Sequence, residues 1–163
     1  MTRSAIVRSA LALIGALALP AAAVAQRVPE LSPELRADAI VGRAPSVQAG
    51  VGVEIPAGIY MRVGLDGAAG ATWRDGATAA TGRADAIARF LLDPFREVPI
   101  GLSFGGGVSV PIGAPAGSRS PYLTLVLDIE GKVHHGVAPA LQIGLGGGAR
   151  IGVVLRQSEL QWR

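Results

Sequence analysis

Residues 47–73 read VQAGVGVEIPAGIYMRVGLDGAAGATW, and they sort by parity. The odd positions are apolar or small: Val47, Ala49, Val51, Val53, Ile55, then Ile59, Met61, Val63, Leu65, Gly67, Ala69, Ala71 and Trp73. The even positions carry Gln48, Gly50, Gly52, Glu54, then Tyr60, Arg62, Gly64, Asp66, Ala68, Gly70 and Thr72. A period of two is the mark of a strand with one apolar face. Pro56-Ala57-Gly58 interrupts the alternation without changing its phase, which predicts a hairpin with a three-residue loop. In that hairpin Ile55 opposes Ile59, so Arg62 falls opposite Gly52 and diagonal to Glu54, within reach of a long side chain.

The same alternation recurs along the chain. Thr81 to Leu92 places Ala84, Ala86, Ala88, Phe90 and Leu92 on one face and Arg83, Asp85, Ile87, Arg89 and Leu91 on the other. Ile100 to Ile112, Leu123 to Ile129 and Leu141 to Leu155 follow the same rule. The last is either one strand of about fifteen residues or two strands folded at Gly146-Gly147-Gly148. Connections fall at 74–77, 93–99, 113–120 and 131–136, all with Gly, Pro or Asp. One segment is ambiguous. Ser32-Pro33-Glu34 resembles a capped helix start that Gly42 would close. Yet Arg36-Ala37-Asp38-Ala39-Ile40 recurs as Arg83-Ala84-Asp85-Ala86-Ile87, and the repeat favours two equivalent strands. The expected fold is all-β: an antiparallel meander closed into a small barrel of transmembrane type. Seven strands are read directly and eight are expected. The eighth would come from splitting Leu141–Leu155, from the lead-in or from the tail.

The first 25 residues have the form of an export signal. Arg3 and Arg8 precede the apolar run Ala10–Leu19, Pro20 follows, and Ala23-Val24-Ala25 is a small-x-small cleavage site. That run is far below the ~20 residues a spanning helix needs. Residues 26–33 then form a lead-in and 34–163 the barrel domain. Without Arg3 and Arg8, 13 basic residues face 12 acidic ones and the formal charge falls from +3 to +1. This gives no electrostatic case for nucleic acid. Cysteine is absent, so no disulfide supports the exported fold.

Which face looks inward decides the class of protein. In a soluble sandwich or lipocalin-like barrel the apolar face is the core; in a membrane barrel it meets lipid and the polar face is packed inside. Three features favour the membrane. Most segments run ten to fifteen residues, against ~5–6 for an ordinary strand and ~9–11 for a tilted spanning one. Glycine fills the polar face at positions such as 50, 52, 64, 70, 105, 107, 144 and 152. It gains nothing on a solvated strand, but inside a narrow lumen it makes room for a neighbouring arginine. The export signal also delivers the chain to the compartment from which outer-membrane barrels insert. The polar face is close to neutral, as a bridged interior requires. The expected lumen network comprises Glu54, Arg62, Asp66, Arg83, Asp85, Arg89, Asp128 and Arg150. An open selective pore would more often carry a ring of one sign.

With this pattern the chain resembles the small outer-membrane β-barrel proteins of Gram-negative bacteria, the OmpA/OmpX-like type, from the export signal through about Leu35 to Leu155. The resemblance implies outer-membrane lipid and the barrel-insertion machinery as partners. The chain departs from the type in its last residues, Gln161-Trp162-Arg163, where the family usually ends on an aromatic residue.

No catalytic, cofactor or metal constellation stands out. His134 and His135 are adjacent, so on a strand they point to opposite faces and cannot readily chelate one metal; a Gly-bounded solvated turn is the expected setting. The glycine runs at 105–107 and 146–148 lie inside alternating segments and do not open a helix, which argues against a phosphate loop. The expectation is therefore a non-enzymatic outer-membrane barrel with a packed lumen. The alternative is a soluble periplasmic barrel or sandwich that binds an apolar ligand.

Overall fold

The structure, a computed structural model, describes residues 31–95, 99–113 and 120–157. The expected export signal, most of the lead-in and the terminal Gln161-Trp162-Arg163 lie outside the described residues. Eight strands follow one another around a closed antiparallel barrel: β1 (Ser32–Val41), β2 (Ser46–Pro56), β3 (Met61–Arg74), β4 (Ala77–Leu91), β5 (Gly101–Ile112), β6 (Tyr122–Glu130), β7 (Val137–Leu145) and β8 (Ala149–Gln157). The ladder between β1 and β8, from Glu34–Arg156 to Val41–Ala149, closes the ring. Closure leaves no free sheet edge to pair with another chain.

Both copies of the Arg-Ala-Asp-Ala-Ile repeat are strands, in β1 and β4. The helix alternative loses because alternating small and charged residues give a strand two uniform faces, whereas a helix would scatter them. The eighth strand comes from the fold at Gly146-Gly147-Gly148. Their φ values of 147°, 69° and 149° suit glycine, and the turn separates β7 from β8.

The β2–β3 hairpin forms, but in a different register from the one expected. Ile55 pairs with Val63 and Pro56 with Arg62, so Asp66, not Arg62, stands opposite Gly52. The loop is 57–60, closed by the Ala57 N–H to Met61 carbonyl bond of 2.8 Å. Ile59 and Tyr60 leave the ladder because Tyr60 has other partners. Its carbonyl accepts from the Leu91 N–H at 2.8 Å and its ring meets Phe95 edge-on, with centroids 6.5 Å apart. A slip of four residues keeps the parity, so alternation fixes the faces without fixing the register.

The connection after Trp73 is shorter than expected. Arg74 pairs with Ala77, and Asp75-Gly76, with φ of 51° and 77°, makes a two-residue hairpin turn. β4 therefore starts at Ala77 rather than Thr81. Among the described residues, the prolines that fall within strands, Pro33, Pro56, Pro111 and Pro139, lie near strand ends, where a missing N–H costs the ladder least.

The barrel is sided in the opposite sense to a water-soluble one. Leu35, Val51, Leu65, Phe104, Leu125, Leu145 and Ile151 are exposed on its outer wall, while Glu34, Arg36, Asp38, Glu54, Asp85, Arg89, Asp128 and Arg156 are buried. Among the described residues the buried apolar side chains are only Ile40, Ala68, Ile87, Val126, Ala138, Ala140 and Val154.

Candidate functional site: the lumen

Residues i and i+2 of a strand share a face, so an Arg-x-Asp triplet offers a local ion pair. Both copies of the repeat use it. Arg36 Nε donates to Asp38 Oδ2 at 2.9 Å, and Arg83 Nε donates to Asp85 Oδ2 at 2.9 Å. Arg83 also reaches across the lumen to Asp38 and to Gln48. Asp85 then takes Arg150 Nη1 at 2.8 Å and the Ser109 hydroxyl at 2.6 Å. This cluster fills the half of the lumen away from the chain termini.

The other half holds a second cluster. Arg156 donates to Glu34 at 3.0 Å, Asp128 at 2.8 Å and Glu130 at 2.6 Å. Arg89 lies against Glu54 at 2.6 Å and Asp128 at 3.0 Å. Arg36 joins the two clusters through Asp66 at 2.5 Å and Glu34 at 3.3 Å. Gln142 joins them again: its amide donates to Asp128 at 2.7 Å and its carbonyl accepts from Arg36. Charges held away from water must be paired, and here each guanidinium spans two or more acceptors or carboxylates from different strands, apart from Arg150. Arg150 touches one carboxylate, and its Nε and Nη2 make no hydrogen bond among the described residues.

The eight residues expected to form the network all face the lumen, but not equally. Glu54, Asp66, Arg83, Asp85, Arg89, Asp128 and Arg150 are buried. Arg62 sits at the mouth nearest the termini with its side chain 22% exposed, shared between Glu130 at 3.3 Å and Glu54 at 3.5 Å. It reaches Glu54 despite the register change, yet Arg89 is the partner that holds Glu54 closely. Glu34, Arg36, Asp38, Gln142 and Arg156 belong to the network as firmly as the eight. Their signal was parity alone: each lies on the polar face of its segment.

Glycine makes this density possible. A Cβ on Gly64 would lie 2.7 Å from Arg89 Nη1, and one on Gly105 would lie 3.0 Å from Arg89 Cγ. One on Gly52 would collide with Asp66 and one on Gly152 with Asp38. Gly107 is tighter still, because its Cβ would meet the Ala86 backbone carbonyl, which cannot rotate away. Gly106, one residue earlier, faces outward and would meet the end of Leu125 at 3.3 Å and, in ordinary contact, the Thr124 carbonyl at 3.7 Å. Gly107→Ala should therefore cost about 1–3 kcal/mol or more by overpacking, while Gly106→Ala should shift stability by less than about 1 kcal/mol. Urea midpoints of the two folded variants measure the difference; equal midpoints would contradict the inward packing of Gly107.

His134 and His135 are exposed in the β6–β7 connection, where His135 and Gly136 adopt φ of 50° and 78°. No group of three metal-ligating side chains occurs among the described residues. Among the described residues the lumen is an interior bridged by ion pairs between strands.

An apolar outer wall, closed eight-stranded meander and charged packed interior define the class: an eight-stranded barrel of inverted sidedness. Comparison with one solved structure gives the same architecture. The N-terminal β-barrel domain of Pseudomonas aeruginosa OprF superposes with a TM-score of 0.51 at 9% identity, over 77% of this chain and 96% of that one. A de novo designed transmembrane β-barrel superposes with a TM-score of 0.49 at 10% identity, over 80% and 98%. No family model and no curated protein sequence matches the chain.

Proposed function

We propose that this protein is a non-enzymatic barrel of the bacterial outer membrane, serving envelope structure or surface interaction, with a lumen too filled to conduct freely. One observation carries the reading: large apolar side chains cover the outside while the ion pairs are inside. In water such a wall would be an aggregation surface far beyond the few hundred Å² that soluble proteins expose; in hydrocarbon it is the favourable surface. Strands of 9 to 15 residues suit the ~9–11 that a tilted crossing needs. Inside, a continuous chain of bridged groups from Glu130 to Arg83 obstructs passage. The OprF domain is similar in fold, and the sidedness supports a membrane setting.

Fractionation tests it. The protein should sediment with the outer membrane and migrate faster on gels before boiling than after. Release into the soluble fraction by osmotic shock would overturn the proposal in favour of a periplasmic barrel.

A further inference from the structure

The lumen is not filled to both ends. At the end away from the termini a cavity of about 560 Å³ opens above the ion-pair layer, within the ~300–1,000 Å³ of small-molecule sites. We propose that this vestibule is a binding site for an uncharged, mainly apolar small molecule bearing one or two hydroxyl or carbonyl groups.

The walls supply the apolar contact. Ile40, Ala44, Ala77, Ala79, Pro111 and the Tyr122 ring line them. The floor is Gln48 and Arg83, and it is closed. Arg83 spends its guanidinium on Asp85, Asp38 and Gln48, so no free cation faces the cavity there to draw an anion. The rim carries Arg74 and Asp75, which stand 3.5 Å apart, are well exposed and offset each other. The cavity therefore presents no net charge for a carboxylate or an ammonium, and an ionic ligand would be desolvated without compensation.

Polar recognition falls to hydroxyls. Ser46 Oγ accepts from Gln48 at 3.4 Å and keeps its own proton to donate. The Thr81 and Tyr122 hydroxyls line the cavity and make no hydrogen bond among the described residues. These groups can donate to, or accept from, a neutral polar head while the apolar body rests on the alanines and Ile40. A dead-end floor makes the site a receptor and not a passage, so it is compatible with a lumen that does not conduct.

The test is photolabelling of the folded full chain in nanodiscs. The probe is a diazirine-bearing aliphatic alcohol, run beside the matching carboxylate. Label sites are read by mass spectrometry, and folding is read independently from heat-modifiable migration. The alcohol should mark residues of the vestibule, and Ala79→Trp, which fills the cavity, should reduce that labelling at least tenfold. Ala80→Trp, on the outward face of the same strand, should leave it unchanged. Thr81→Phe is the second filling variant should Ala79→Trp not fold, and the same loss is expected. Labelling spread over the outer wall and equal in filled and unfilled variants would overturn the proposal. Equal or stronger vestibule labelling by the carboxylate would overturn the neutral ligand class.

Discussion

Arg156→Leu is expected to lower the unfolding free energy by about 3–5 kcal/mol, the usual cost of removing one partner from a buried ion pair. The guanidinium contacts Glu34, Asp128 and Glu130 at 2.6–3.0 Å and lies 3.4 Å from Glu54, and its side chain is 3% exposed. Leucine would leave those carboxylates close together in a dry space with one cation fewer. Repulsion among them adds to the lost attraction, so the upper half of the range is the better expectation. Arg62→Leu removes a guanidinium that also bridges two of these carboxylates, but at 3.3–3.5 Å and 22% exposure. Water at the mouth can solvate what it leaves behind, and a loss of about 1 kcal/mol is expected. Arg74, paired only with Asp75 and both well exposed, should be replaceable by leucine without measurable cost. Equilibrium urea titration in lipid vesicles, scored by heat-modifiable migration, ranks the three. Equal midpoints for Arg156→Leu and Arg74→Leu would show that the buried network contributes nothing.

That ranking rests on depth in the barrel, and depth is what parity could not supply. Alternation assigned Arg156, Arg62 and Arg89 to one face from side-chain period alone. It could not tell which of them lies at a mouth, because height follows from ladder register, and register is invisible to a period of two. The β2–β3 hairpin shows this directly. A four-residue slip put Asp66 opposite Gly52, left the face assignments of the paired residues intact, and moved Arg62 to the rim. The glycines were more informative than the charges. Gly52, Gly64, Gly105 and Gly152 were read as room for a neighbouring arginine; Arg89 takes that room at Gly64 and Gly105, but aspartates, Asp66 and Asp38, take it at Gly52 and Gly152. Their neighbours could not be named in advance, because each contact spans strands whose pairing depends on loop lengths. Gln142 was passed over among candidate site residues because an amide carries no charge, although it joins the two clusters.

Leu125→Arg separates a barrel in lipid from one in water, and a large effect is expected only in lipid. Leu125 lies within β6, faces outward and is 61% exposed. On a soluble barrel an arginine there would be solvated, would relieve an apolar surface, and would leave stability within about 0.5 kcal/mol of the parent. On a lipid-facing wall the same charge costs about 2–4 kcal/mol near the bilayer midplane and about 0–1 near either interface. Leu123, two residues closer to the mouth and also outward at 79% exposure, supplies the internal comparison. Its replacement by arginine should cost clearly less than that at Leu125, because its side chain can reach the headgroups. The gradient matters more than either value, since water has no depth and can produce no gradient along one face of one strand. Urea midpoints in vesicles that differ between Leu125→Arg and Leu123→Arg in this order place hydrocarbon against the wall. Two variants as stable as the parent would place water there, and the ion pairs would then be the core of a soluble barrel turned inside out.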